Sequence, residues 1–298
     1  MKKLFLISLA LISMTAAHAQ LKVIPTLKKG MEKVYVTKGS MILPGQPEMV
    51  FDTESKFSVS DATAEGYVID MITTSFNCAV SPDNITGQIV AASQEMIKDI
   101  NVRVATDKNG KPLKIMNYDE LSKVLDTHSK QMIDKLYQLV PQIKTNLSED
   151  VLKAQLMESV TEEALLKSMT NTASPMLLFG KTVMTGSQED ITNEQGIKMK
   201  RMYFVNGKNV TANATINMSK EDIKNLIIAQ IEKMAPDQAK IIKENIDQLM
   251  DSGMLKIDFK ETATYELQDD NWPKTLTIEI VNEAAGQKTI NKSISTLK

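Results

Sequence analysis

The stretch MLKIDFKETATYELQDDNWPKTLTIEI, residues 254–280, decides the fold class. In its first half Leu255, Ile257, Phe259, Ala263, Tyr265 and Leu267 fall on one side of an extended chain, the period-two pattern of a strand with one buried face. At about 3.3 Å per residue, Leu255 to Leu267 would reach roughly 40 Å. A strand of that length bends or wraps to keep its apolar face covered, so a long, curved antiparallel sheet is expected. A turn through Asp270-Asn271 brings the chain back, opposing Leu267 with Lys274, Tyr265 with Leu276 and Ala263 with Ile278. Strand parity then puts Trp272, the only tryptophan, on the apolar side with Leu276 and Ile278. It is expected to be a peg closing the apolar face beneath the turn, not a platform offered to a ligand.

Other hairpins extend the pattern. In RVATDKNGKPLKIM, residues 103–116, Asn109-Gly110 supplies a turn that opposes Val104 with Ile115 and Thr106 with Leu113. In GIKMKRMYFVNGKNVTANATINM, residues 196–218, a turn at Asn206-Gly207 opposes Tyr203 with Val210, Met199 with Ala214 and Ile197 with Ile216. The other face of this second hairpin carries Thr211, Asn213 and Thr215. Upstream, EKVYVTKGSMIL, MVFDTESKFSVS and GYVIDMITTSF alternate in the same way between turn residues.

Two blocks read as helical. From Asn117 or Asp119 to Val140, Leu121, Leu125, His128, Met132, Leu136 and Leu139 recur in steps of three and four before Pro141. A second helix starts near Ser148 and runs toward Met169, and Ser174-Pro175 closes the block. Later, Ser219 and Asp222 form a capping-box-like start. Ile223, Leu226, Ile227, Ile231 and Met234 form a stripe, Pro236 opens a partner helix and Gly253 suits its end.

The order is strands 31–116, helices 118–180, hairpin 181–218, helices 219–251 and strands 254–298. This is α+β with an antiparallel sheet covered by two pairs of amphipathic helices, in one large domain over 20–298 or in two lobes.

The first residues, MKKLFLISLALISMTAAHAQ, combine Lys2 and Lys3, an apolar run from Leu4 to Met14 and the small-residue site Ala17-His18-Ala19. This is the layout of a cleaved secretory signal over 1–19, with an apolar part shorter than the roughly 20 residues of a membrane-spanning helix. No later segment approaches a spanning run, and no cysteine stands at the new N-terminus to carry a lipid. An exported protein of a bacterial periplasm or exterior is expected. Cys78 is the only cysteine, so an intrachain disulfide is excluded and stability rests on a packed core. Six N-x-S/T triplets, Asn84-Ile85-Thr86 among them, read as chance in a chain rich in Asn and Thr.

Composition narrows the function. Without Lys2 and Lys3, 33 of the 35 basic residues remain against 37 acidic ones, and only Arg103 and Arg201 are arginines. A nucleic-acid partner needs a basic excess and arginine forks, so none is expected. His128 is the only histidine beyond the leader, so one chain cannot build a multi-histidine metal site, and a serine or cysteine triad would need that one residue. It sits on a helical apolar stripe, and Cys78 reads as a small buried side chain. The methionines are dispersed and read as adaptable core filler, so neither metal nor cofactor is expected. The acidic group Glu266, Asp269 and Asp270 reads as turn-forming, with calcium binding or acid-base catalysis as the alternative.

Two charges break the apolar parity. Glu261 stands between Phe259 and Ala263, and Arg201 between Met199 and Tyr203. A buried charge needs a partner, and these two can supply one another unless a bulge or an edge position returns them to water. Arg201, Glu261, Tyr203 and Tyr265 are therefore the candidate ligand-anchoring residues.

Long alternating strands, methionine-rich faces and missing catalytic motifs favour an exported non-enzymatic protein. Its expected partner is a lipid, another apolar or amphiphilic ligand, or a protein segment. The alternatives are a structural or assembly protein of the cell envelope and a hydrolase using acidic residues. As architecture this arrangement is similar in outline to periplasmic lipoprotein carriers and lipocalin-like proteins.

Overall fold

Three long strands follow the short β1 (Gln20–Lys22): β2 (Glu32–Ile42), β3 (Met49–Ala62) and β4 (Gly66–Ala79). Each of the three pairs antiparallel with the next. Helix α1 (Ile85–Ile97) precedes the hairpin β5 (Val102–Asp107) and β6 (Pro112–Ile115). The helical block is α2 (Tyr118–Leu139), α3 (Ile143–Asn146), α4 (Glu149–Glu158) and α5 (Glu162–Met169). Then come β7 (Thr182–Met184), β8 (Gln188–Thr192), β9 (Lys198–Asn206) and β10 (Asn209–Ile216). Helices α6 (Lys220–Met234) and α7 (Pro236–Asp251) lead into β11 (Ile257–Leu267), β12 (Pro273–Ala284) and β13 (Gln287–Leu297). The computed structural model describes residues 20–298 apart from 82–83, 147, 159, 194–195, 235, 253–254, 256 and 285. The leader expected over 1–19 and the helix stop expected at Gly253 lie outside the described residues.

The class is α+β with one long antiparallel sheet. Eleven strands run in the order β6-β5-β4-β3-β2-β13-β12-β11-β10-β9-β8, and β1 pairs separately with β7. Two meanders, one from each half of the chain, are joined where β13 pairs with β2, with Leu297 opposite Tyr35 and Ser293 opposite Gly39. The sheet is open, with β6 and β8 as its edges.

Alternation selects one face for burial. Tyr35, Phe57, Ile69, Tyr203, Tyr265 and Leu276 on that face are each 5% exposed or less. Burying an apolar side chain of this size contributes about 1.5–3 kcal/mol relative to leaving it in water. Over this face lies the strap Asn171–Gly180, whose Met176, Leu177, Leu178 and Phe179 are at most 1% exposed although they belong to neither helix nor strand. Main-chain bonds from Val23 N–H to Lys181 O (2.9 Å) and from Gly180 N–H to Val23 O (2.9 Å) fasten its end.

The β9-β10 and β11-β12 hairpins keep their predicted faces with corrected registers, while in β5-β6 Leu113 loses the inward place expected for it. Val104 faces Ile115, but a shift between Ala105 and Thr106 brings Thr106 against Pro112 and leaves Leu113 exposed. In the β9-β10 hairpin Tyr203 faces Ala212, Met199 faces Ile216 and Arg201 faces Ala214. The turn is Gly207-Lys208, closed by Asn206 and Asn209, and Gly207 has φ +60°. Glycine at the first central position of a two-residue turn is the type II′ solution, which wins over a turn centred on Asn206-Gly207. That slip of two residues preserves every side chain's face. In β11-β12, Tyr265 faces Leu276 and Ala263 faces Ile278 as expected, while a shift after Glu266 sets Leu267 against Pro273 instead of Lys274.

The helical layer departs from the expectation of two pairs. Helix α1 occupies sequence that reads as strand and turn. Asn84 caps it, Oδ1 accepting from Gly87 N–H at 2.8 Å, so the amide of that N-x-T triplet is committed to the helix end. The helix expected from Ser148 to Met169 is divided into α4 and α5, because Thr161 starts a new helix by accepting from Ala164 N–H at 3.2 Å. Helix α2 buries Leu121, Leu125 and Met132 as its stripe predicts, and His128 on the same helix is half-buried. Asn117 precedes α2 but caps nothing with its side chain. Its Oδ1 accepts from Arg103 N–H (3.0 Å), and its Nδ2 donates to Asn101 O (2.9 Å). The capping box of α6 is formed, with Asp222 N–H donating to Ser219 Oγ and Ser219 N–H to Asp222 Oδ2, both at 3.1 Å.

Candidate functional site

All four residues singled out from sequence meet under the strap. Arg201 on β9 and Glu261 on β11 both stand opposite Ala214 on β10, in regular ladder, so both point to the buried face. Neither bulge nor edge intervenes. A whole strand separates them, and among the described residues their side chains form no direct ion pair, Arg201 pairing with Glu189 instead. Thr172 of the strap bridges them: Arg201 Nη2 donates to Thr172 Oγ1 at 2.8 Å, and that hydroxyl donates to Glu261 Oε2. Tyr265 OH donates to the carbonyl of the same Thr172 at 2.7 Å.

The ion partner of Arg201 is Glu189, directly opposite it on β8. Arg201 Nη1 donates to Glu189 Oε1 at 2.7 Å, Tyr203 OH donates to the same oxygen at 2.6 Å, and Lys181 Nζ reaches both carboxylate oxygens at 3.0 Å. Arg201 is 3% exposed, and its Nε has no hydrogen-bond partner. Burial works to raise the Glu189 carboxyl, but Lys181, Tyr203 and Arg201 outweigh it and hold it below the ordinary value. Burial also pushes the Lys181 ammonium down, against the pull of Glu189, and pushes the Tyr203 and Tyr265 phenols well up. A carboxylate held ionised and phenols held neutral form a static lattice of donors and acceptors. Glu189, Lys181 and Thr172 went unnoticed in the sequence. The inward parity of Glu189 within QEDIT, beside the inward Arg201, was the available signal.

At the other end of the strap, Trp272 is 1% exposed. Its ring meets Phe179 edge-on at 4.9 Å between centroids and Phe57 at 5.8 Å. The indole Nε1 is buried without a partner. Above it, the acidic turn is occupied by protein groups: Lys33 Nζ pairs with Asp270 at 2.6 Å, Trp272 N–H donates to Asp270 Oδ1 at 3.0 Å, and Lys274 pairs with Glu266. Among the described residues no group of three or more His, Cys, Asp or Glu side chains is placed to hold a metal.

Two unfilled spaces lie along β4. A gap of about 220 Å³ between the sheet and α2, α5 and the end of α1 is lined by Phe57, Met71, Ile100, Leu121, Leu125 and Met169, among others. Farther along the same strand a more open cleft of about 950 Å³ lies between the sheet residues Phe51, Phe76 and Cys78 and the α1 residues Ala91, Ala92 and Glu95. Cys78 is half-buried, and burial raises its thiol pKa. Gly39 gives the Phe51 ring room, since a Cβ there would lie 2.5 Å from Phe51 Cζ and 2.7 Å from Lys292 O.

No helix among the described residues is long and apolar enough to cross a membrane. No protein-family model matches the chain, and no curated protein does. Among solved structures, the chain is similar to a lipovitellin described for its lipid-protein interactions, at 8% identity and a TM-score of 0.38. That match covers 92% of this chain and spans only 25% of the lipovitellin chain. A porin-like protein from Bacteroides uniformis is similar at 9% identity and a TM-score of 0.20, over 92% of this chain and 100% of the other. At these scores neither likeness bears on the fold or the activity.

Proposed function

We propose that this chain is an exported, non-enzymatic binding protein whose apolar guest lies between the β3–β5 end of the sheet and the helices laid over it. The observation that carries this reading is the space along β4, an apolar gap of about 220 Å³ in line with a cleft of about 950 Å³. The larger volume lies within the roughly 300–1,000 Å³ typical of small-molecule sites. Aromatic, aliphatic and methionine side chains line the inner part, a surface that accommodates varied apolar shapes. In this reading Arg201, Glu261 and Tyr265 anchor the strap at Thr172, Tyr203 holds Glu189, and none of the four touches the guest.

The native cysteine makes the test direct. Anilinonaphthalene sulfonate, a fluorescent probe of apolar sites, is titrated into the mature protein while the Cys78 thiol is reacted with a chromogenic disulfide. Saturable binding with slowed thiol reaction is expected, together with release of bound organic material on denaturing extraction. Unsaturable binding with Cys78 reacting at an unchanged rate overturns the proposal.

A further inference from the structure

The cleft along β4 borders a stretch of strand whose main chain is open on one side. β4 pairs with β3 along its length, Ala62 opposite Tyr67 at one end and Val50 opposite Ala79 at the other. On its other side β5 covers only Gly66–Met71. Past that point the chain of α1 runs back beside β4. It returns at Asp99, whose N–H donates to Thr73 O at 2.9 Å before β5 begins. From Thr74 to Ala79, therefore, β4 has no strand on this side among the described residues. Helix α1 lies across the cleft from this edge, and the cleft also reaches Phe51 and Asp52 on β3 and Lys38 on β2.

A cleft between a strand edge and a helix is suited to one occupant more than any other. Backbone N–H and C=O groups that face away from β3 call for hydrogen bonds, which an acyl chain cannot supply and an extended polypeptide can. We infer that the Thr74–Ala79 edge of β4 receives an extended segment of a partner polypeptide as an added strand, held between that edge and α1. The inference rests on the binding reading above and names its guest. Side chains alternating along the added strand would turn one set toward Phe76, Cys78, Ala91 and Ala92, so apolar residues at every second position are required. Lys38 and Lys135 also line the cleft, and neither makes an ion pair among the described residues. The two lining carboxylates are already engaged, Asp52 by Asn77 (2.8 Å) and Glu95 by Lys98 (2.5 Å). An acidic residue flanking the apolar positions completes the match.

Panning a random heptapeptide library on phage against the mature protein tests this. Peptides with alternating apolar residues and a flanking acid are expected. The best of them, made synthetically, should slow amide hydrogen exchange within Thr74–Ala79 at least about tenfold. Methylating its alternate main-chain nitrogens, which keeps the side chains and removes the edge bonds, should weaken binding about tenfold or more. Ala91→Trp, checked for unchanged circular dichroism, should weaken it similarly. The inference is overturned if panning enriches nothing, if the methylated peptide binds as well as its parent, or if protection falls only on the other edges, β6 or β8. Should the fluorescent probe and palmitate bind and protect Cys78 while no peptide does, the apolar-guest reading stands and the strand-addition inference fails. If neither probe nor peptide binds, both fail.

Discussion

Arg201 and Glu261 flank Ala214 in one row of the sheet, one strand to either side, and the hydroxyl of Thr172 joins them. The strap Asn171–Gly180 is thereby bolted to the sheet at its polar end, while Phe179 packs on Trp272 at its apolar end. Strap and sheet are expected to unfold together.

Thr172→Val removes the bridge while keeping the side-chain shape. It leaves Arg201 Nη2 and one Glu261 oxygen without this partner in a buried setting, a loss of about 1–3 kcal/mol. Thr172→Ser keeps the hydroxyl and should lose distinctly less. Urea denaturation of both variants checks the order, and equal losses would remove Thr172 from its bridging role.

Glu189→Gln takes away the one carboxylate that pairs with Arg201 among the described residues, the Arg201 side chain being 4% exposed. Stranding a buried guanidinium costs about 3–5 kcal/mol. Arg201→Met combined with Glu189→Gln should cost less than the two single losses added, because the charges are coupled. Chemical denaturation of the four proteins measures the coupling, and strict additivity would refute it.

The same carboxylate makes stability depend on pH with a definite sign. The folded Glu189 carboxyl lies below its ordinary value of 4.5, so its ionised form contributes stability that is fully present above that value. The contribution is lost as pH falls through the depressed folded value. Glu189→Gln lacks it, so the gap in Tm between parent and variant should narrow from about pH 6 to about pH 3. A gap that stays constant across thermal melts in that range would contradict the assignment.

Trp272 is the only tryptophan and is wedged between Phe179 and Phe57, so native emission should be blue-shifted and should report global unfolding. Trp272→Ala should cost about 3–5 kcal/mol by opening a cavity. Trp272→Phe keeps a ring and removes an N–H that has no partner, and should cost clearly less. Thermal melts of the two variants decide it.

Gly39→Ala sets a Cβ against Phe51 and against the main-chain oxygen of Lys292. The ring can turn and the strand cannot, so a loss of about 1–3 kcal/mol is expected, with Phe51 displaced toward the cleft. A faster Cys78 thiol reaction in this variant would report that displacement, and an unchanged rate with unchanged stability would exclude it.

The parity of the strands was legible because side-chain period in a strand is two. Even where the β9-β10 register was misjudged by two residues, Arg201 and Tyr203 kept their inward face, and Glu261 and Tyr265 were assigned theirs from alternation alone. Trp272 was assigned inward in the same way. Helix α1 was missed because ITGQIVAASQEMI mixes β-branched and small residues without a clean stripe, and its decisive signal was one capping residue, Asn84. The strap was missed because SPMLLFG has neither helical nor strand period.

By itself, the sequence determined which residues face inward along β9, β10 and β11, where most turns fall, and that two inward charges would need partners. Those properties depend on neighbours a few residues away. Tertiary structure alone decided that β13 pairs with β2, that Glu189 and Thr172 are the partners of Arg201, and that a cleft lies along β4. Those contacts join segments as far apart as Tyr35 and Leu297, and nothing local to either segment encodes the register of the other.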